Sequence, residues 1–242
     1  MSRHATDSRK RLIDELVQHF AENTDRFSLL LEQLQGIIAS DKELAKFIHS
    51  TKWRVKDPAH LRDKLNRKLE ECNRLQRKFD YTKENLFWRV NDLAGFRILH
   101  LHTRQMGDID RALRHCLDQE LYTLVEKPTA RTWDDETRDY FRQIGIKTKD
   151  SETLYTSVHY VIEPKGRVRY TCEVQVRTLA EELWGEVDHT INYPHASNSI
   201  SCREQIAVLA RVTSSCSRLV DSIFRSHEDY ESSTKIVKRP RR

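Results

Sequence analysis

Two β-prone runs, residues 157–163 and 168–177, are separated only by Pro164, Lys165, Gly166 and Arg167, and they constrain this 242-residue chain more than any other feature. The spacing predicts an antiparallel hairpin with a four-residue connection. A hairpin with one apolar face is at best marginally stable alone and has to be covered. Helical periodicity on both sides supplies the cover. Leu12, Ile13, Leu16, Val17 and Phe20, then Phe27, Leu30, Leu31, Leu34, Ile37 and Ile38, recur at steps of three and four between about residues 7 and 50. Asp57-Pro58 then reads as an N-cap followed by a first-turn proline, opening a helix through Leu61, Leu65, Leu69 and Leu75 toward Phe79. The expected architecture is α+β: a mixed β-sheet core flanked by N- and C-terminal helices.

Finer readings follow the same rules. Leu93 to Leu101 reads as a strand in its second half, 108–116 as a helix and 121–126 as a short strand. Helices are expected from Thr178 to about His189 and from Ser199 to about His227. The polar stretch 128–153, with a short helix over 134–141, is expected to be a mobile loop beside an active site. The chain is accordingly divided into a helical region 1–50, a core 51–195, a helical region 196–234 and a basic, disordered tail 235–242 that ends in Lys238-Arg239-Pro240-Arg241-Arg242.

Composition closes several routes. Only 6 glycines occur, with no GxGxxG and no GxxxxGK[ST], so the glycine-dependent phosphate loops are absent. Lys and Arg number 42 against 37 Asp and Glu, a net charge of +5 that is too dispersed for duplex nucleic acid but suits small polyanions such as nucleotides. Five cysteines without CxxC spacing indicate neither a disulfide framework nor a zinc ribbon and fit a reducing cytoplasm. The first residues lack the apolar region of a signal peptide, and no run approaches the roughly 18 apolar residues of a membrane span, so a cytosolic location with no membrane partner is expected.

Three groups of residues can carry chemistry. Asp92, before one strand, and Glu173, inside another, sit in apolar surroundings and can share a hard cation such as Mg2+; equally, Glu173 can be a strand-end carboxylate paired with Arg177. Arg54 and Lys56, with Arg62, Lys64, Arg67 and Lys68 on the next helix, can bind a base and its phosphates, or can form a solvated charged face. Tyr155, Ser157 and His159 alternate along a strand and so face one way, as a base-stacking platform or as a half-buried strand surface.

Taken in order, Arg54-Val55-Lys56, Asp92-Leu93-Ala94-Gly95-Phe96-Arg97, Tyr155-Thr156-Ser157-Val158-His159-Tyr160 and Cys172-Glu173-Val174-Gln175-Val176-Arg177-Thr178 resemble the synthetase domain of the RelA/SpoT family, with Ala180 to His189 continuing the likeness. The resemblance implies a nucleotidyltransferase-like synthetase core. It implies transfer of the β,γ-pyrophosphate of ATP to the ribose 3′-hydroxyl of GDP or GTP, giving (p)ppGpp and AMP. Asp92 and Glu173 fall on the Mg2+-binding positions. Arg54 and Arg97 fall on those that sandwich adenine, and Lys56 and Lys64 on phosphate contacts. Tyr155 falls on the tyrosine that stacks on the acceptor guanine, and His159, Gln175 and Arg177 lie in the acceptor region. Glu173 is also a candidate general base.

Two departures mark the acceptor side. Leu154 stands where the family has glycine before the tyrosine, so a turn of different shape is expected, and Arg138-Asp139-Tyr140 matches only part of a basic run. They leave room for a toxin-type member that modifies the 3′ end of tRNA or an adenine nucleotide, while a catalytically silent nucleotide-binding regulator is the remaining alternative. The resemblance implies a single-domain synthetase, with neither a hydrolase domain nor a ribosome-sensing region. Ile206, Leu209, Val212, Leu219 and Ile223 in the last helix either cover the sheet or form a homo-oligomer interface.

Overall fold

A computed structural model describes residues 3–120, 122–151, 153–192 and 197–237. The helices are α1 (Arg3–Ala21), α2 (Thr24–Ser40), α3 (Pro58–Arg74), α4 (Leu86–Arg89), α5 (Met106–Gln119), α6 (Asp135–Gln143), α7 (Leu179–Asn192) and α8 (Ile200–Val237). The strands are β1 (Ile48–Val55), β2 (Ala94–His100), β3 (Tyr122–Leu124), β4 (Thr129–Thr132), β5 (Lys147–Asp150), β6 (Ser157–Pro164) and β7 (Cys172–Thr178). They form one mixed sheet in the order β1-β2-β7-β6-β4-β5, with β3 also on β6. The pairs β2–β7 and β4–β5 are parallel and the others antiparallel. The α+β class is as expected.

The period of two sorts this sheet into two chemistries. Phe96, Ile98, Val174, Val176, Val158, Tyr160, Ile162 and Ala130 point to one side and join the apolar residues of α1, α2, α3 and α5 in a single buried core. Residues at alternate positions, among them Arg54, Gly95, Arg97, Glu173, Gln175, His159 and Arg131, occupy the other side, where polar groups gather. A smaller cluster of Trp184, Ile206 and Ala210, joined by Leu154, Tyr155 and Leu209, pins α8 onto α7.

Several local expectations are corrected. The helical stretch does not reach residue 50. Asp41 ends α2 and its carboxylate accepts from the backbone N–H groups of Glu43 and Leu44, and β1 follows from Ile48. The expected mobile loop 128–153 is a strand–helix–strand unit, β4-α6-β5, whose helix is opened by Asp134 accepting from the Thr137 N–H at 2.8 Å. The strand expected from residue 168 begins only at Cys172, because the Thr171 N–H is spent on the Phe87 carbonyl at 3.0 Å, outside the sheet. In contrast, α3 opens as its sequence indicates, with Asp57 accepting from the Ala59 N–H. Of the expected tail, residues 235–237 end α8, and 238–242 lie outside the described residues. In the last helix Ile206 and Leu209 pack inward against Trp184 of α7, whereas Val212, Leu219 and Ile223 are exposed.

Candidate active site

Two adjoining cavities open on the polar side of the sheet. One, about 340 Å3, lies over β1 and β2 and is lined by Lys52, Trp53, Arg54, Gly95 and Glu186. The other, about 680 Å3, extends over β7, β6, β4 and β5 and is lined by Lys64, Arg131, Lys149, Tyr155, His159 and Arg177, among others. Asp92, Arg97, Glu173, Gln175 and His189 line both. Their volumes lie in the range of small-ligand sites.

The two carboxylates stand at the junction. Glu173 is opposite Gly95 in the parallel β2–β7 register, and Asp92 precedes β2. Asp92 accepts from Lys64 Nζ at 2.6 Å and Lys56 Nζ at 3.0 Å. Burial pushes its carboxyl up, but the two ammonium groups prevail and hold it below the ordinary value. Glu173 accepts from His159 Nδ1 and from Gln175 Nε2, both at 2.9 Å. Its carboxyl is likewise lowered: burial and the Asp92 charge oppose ionisation, and the His159 and Gln175 bonds outweigh them. His159 Nε2 is buried with no hydrogen-bond partner among the described residues.

Around this centre the cations are held in ordered pairs. Lys52 is opposite Arg97 and Arg54 opposite Gly95 in β1–β2, so all four share a face. Gly95 leaves a bare floor beside Arg54: a Cβ there would lie 3.9 Å from Arg54 Cγ. Arg97 and Arg177 both donate to Glu182 on α7. Tyr155 lies under the Arg177 guanidinium, 5.5 Å from ring centre to Cζ, and its hydroxyl donates to Gln175 Oε1 at 3.3 Å. Burial raises the phenol, against the pull of Arg177, so it stays protonated at neutral pH.

Every residue that the resemblance places in the site lines one of the two cavities except Lys56, which reaches the junction through Asp92. Of the other candidates, Lys68 lines the larger cavity, whereas Arg62, Arg67 and Ser157 line neither: Arg62 pairs with Asp14 and the Ser157 hydroxyl donates to the Val176 carbonyl. Arg138 and Tyr140 do not join them: Arg138 pairs with Asp135 and Asp150, and the Tyr140 hydroxyl donates to the Arg104 carbonyl. Arg131 and Lys149, which the sequence did not single out, bring the basic charge on that side. Lys52, Glu182 and Glu186 were also missed. The signal for the last two is the helical spacing of Glu182, Glu186 and His189 on α7.

Leu154 corrects the expectation of a reshaped turn. Its φ is +59°, the left-handed conformation that glycine adopts freely, so the turn keeps the shape that a glycine would take. Its side chain packs with Trp184, Ile206 and Ala210, and that contact offsets a backbone cost of about 1–2 kcal/mol. Leu154→Ala should therefore be less stable than Leu154→Gly by about 1 kcal/mol, reversing the usual order, because alanine loses the packing and keeps the strain. Thermal melting of the two variants checks this, and an alanine variant as stable as the glycine one would contradict it.

The mixed sheet buries one apolar face and gathers paired carboxylates and cations on the other, and the comparison with known proteins names the family that carries this arrangement. The chain belongs to the RelA/SpoT family: residues 53–198, more than half of it, match the region found in RelA / SpoT proteins. Among curated relatives, GTP pyrophosphokinase YjbM of Bacillus subtilis (strain 168) is 24% identical over 150 residues, a match that covers 60% of this chain and 56% of that one. The chain thus aligns with little more than half of this relative's length. The fold is shared with small alarmone synthetase 1 from Bacillus subtilis bound to its product pppGpp, at a TM-score of 0.55 and 19% identity over 89% of this chain and 97% of that one. It is shared also with a GTP pyrophosphokinase family protein from Streptococcus pneumoniae, at 0.55 and 16% over 87% and 93%.

Proposed function

We propose that this protein transfers the pyrophosphate of ATP to the 3′-hydroxyl of GDP or GTP, forming (p)ppGpp and AMP. The observation that carries the reading is the junction of two cavities at Asp92 and Glu173, each cavity provided with an aromatic or guanidinium platform and with cations. Names of related proteins agree: one relative is a GTP pyrophosphokinase, and small alarmone synthetase 1 has been crystallised with pppGpp and with AMPCPP.

Under this reading, ATP occupies the smaller cavity. Its adenine lies over Gly95 between Arg54 and Arg97, and Lys56 and Lys64 turn from Asp92 to its phosphates. The acceptor occupies the larger cavity, its base on Tyr155, with His159, Gln175 and Arg177 beside it and with Arg131 and Lys149 toward its 5′ phosphates. Bringing two polyanions together is mainly a matter of neutralisation and alignment, and these side chains supply both. Asp92 and Glu173 suit Mg2+, which takes one or two carboxylates and leaves its other positions to water and phosphate. Among the described residues no group of three or more His, Cys, Asp or Glu forms a protein-only cage. The metal would add positive charge where phosphate charge concentrates. Hydrogen bonds from His159 and Gln175 favour the ionised form of Glu173, the form in which it can hold a metal or accept the 3′-hydroxyl proton.

The decisive assay incubates the purified protein with Mg2+, γ-labelled ATP and, in parallel, GDP, GTP, ATP or tRNA. Label on GDP or GTP supports the reading; label on tRNA or an adenine nucleotide alone overturns it. Arg54→Lys keeps the charge but cannot stack a planar guanidinium, so it should raise the KM for ATP several-fold and leave that for the acceptor nearly unchanged. An unchanged ATP KM would count against the adenine placement. The exposed Val212, Leu219 and Ile223 of α8 favour self-association, which sedimentation of the full chain would test.

A further inference from the structure

Glu182 sits one turn into α7, over the sheet between the two cavities, and is 5% exposed. Its Oε1 accepts from Lys52 Nζ at 2.9 Å and Arg97 Nη1 at 3.2 Å, and its Oε2 accepts from Arg177 Nε at 2.6 Å. A single carboxylate thus anchors a cation of the smaller cavity and a cation of the larger one through its two oxygens. Both arginines carry on outward. Arg97 donates also to Glu186, which lines the smaller cavity, and Arg177 lies over the Tyr155 ring.

The absence of a side chain at Gly185 makes room for the second link. A Cβ at that position would lie 2.5 Å from Arg177 Nη1, and Arg177, 3% exposed and tied to Glu182, has little space to retreat. Glu182 and Gly185 are three apart on α7 and face the same way. The helix therefore presents an anchor and a gap side by side, and Arg177 fits both.

We propose, resting on the two-substrate reading above, that Glu182 is a positioning residue that couples the two halves of the site: a ligand that fixes Arg97 in the ATP cavity also fixes Glu182, Arg177 and the Tyr155 platform, so each substrate improves the binding of the other. The physical route is a continuous set of ion pairs and one cation–π contact, with Glu182 and Arg177 buried at its centre and Arg97 and Tyr155 half-buried at its ends. The carboxylate touches neither reacting atom.

Calorimetric titration tests this without turnover, using AMPCPP in the absence and presence of saturating GDP. Wild-type protein should bind AMPCPP about 5-fold or more tightly when GDP is present, within the usual range of coupling between sites. Glu182→Gln should bring that factor close to 1, and Glu182→Asp should restore part of it. Gly185→Ala, which displaces Arg177 and leaves the Glu182 charge and its Arg97 bond in place, should also abolish the factor while changing AMPCPP affinity alone by less than about twofold. This second variant keeps the test open if Glu182→Gln melts early. A coupling factor in both folded variants equal to that of the wild type, or no coupling in the wild type, overturns the proposal. The reading of the reaction fails separately, if neither GDP nor GTP accepts label from ATP.

Discussion

Glu173→Gln and Asp92→Asn should each lower pyrophosphate transfer by at least about two to three orders of magnitude, the usual loss when a preorganised charge or donor is removed from a polar active site. Their effects on the fold should differ. Glutamine can still accept from His159 Nδ1, and the Gln175 amide can turn to meet it, so Glu173→Gln should melt close to the wild type. An asparagine in place of Asp92 offers a single oxygen to two ammonium groups, one of them on a side chain only 10% exposed, so Asp92→Asn should lose some stability as well as activity. Circular dichroism and melting curves separate the two effects, and a Glu173→Gln enzyme with more than a tenth of wild-type activity would remove Glu173 from the centre of the site. Since both carboxyls are held below their ordinary values, they remain ionised as the pH falls from 7. Their protonation should limit activity only at a pH lower than that at which free carboxyls titrate.

Tyr155→Ala should raise the KM for GDP or GTP by about one to two orders of magnitude, because stacking on an aromatic ring is worth roughly 1–3 kcal/mol per base. The ring is well placed for it, with Arg177 against it and the His159 ring 5.8 Å from its centre. Tyr155→Phe removes only the hydroxyl that donates to Gln175 and should cost far less. The KM for ATP, measured at saturating acceptor, should move much less than that for the acceptor. Equal losses for both substrates would mean that the two cavities are not separate subsites.

The parts of the site that sequence reveals are those carried by regular alternation. In β7, Cys172, Val174 and Val176 are buried on one side while Glu173 and Gln175 face the other, and β2 repeats the pattern with Ala94, Phe96 and Ile98 against Gly95 and Arg97. A period of two thus exposes both strands and their functional residues. Strand β1 hides because it is an edge strand: His49, Lys52, Trp53 and Arg54 are all exposed, on both sides, and no alternation survives. The strands β4 and β5 have four residues each, too few to establish a period, so Arg131 and Lys149 could not be seen to share a cavity with His159. Glu182 was invisible for another reason: its importance lies in where α7 crosses the sheet, which only the folded chain determines.

The lysine pair on Asp92 changes how the site should respond to salt. A cationic groove open to solvent condenses mobile anions, and a polyphosphate entering it gains affinity by releasing them, so its binding weakens steeply as ionic strength rises. Lys56 and Lys64 already have a fixed counterion in the Asp92 carboxylate. When they turn to phosphate they exchange one anionic partner for another, and few mobile ions are set free. If ATP binds as proposed, its affinity should therefore decline more gently with salt than the number of cations lining the cavities implies, so that shape rather than charge attraction would set what the cavities select.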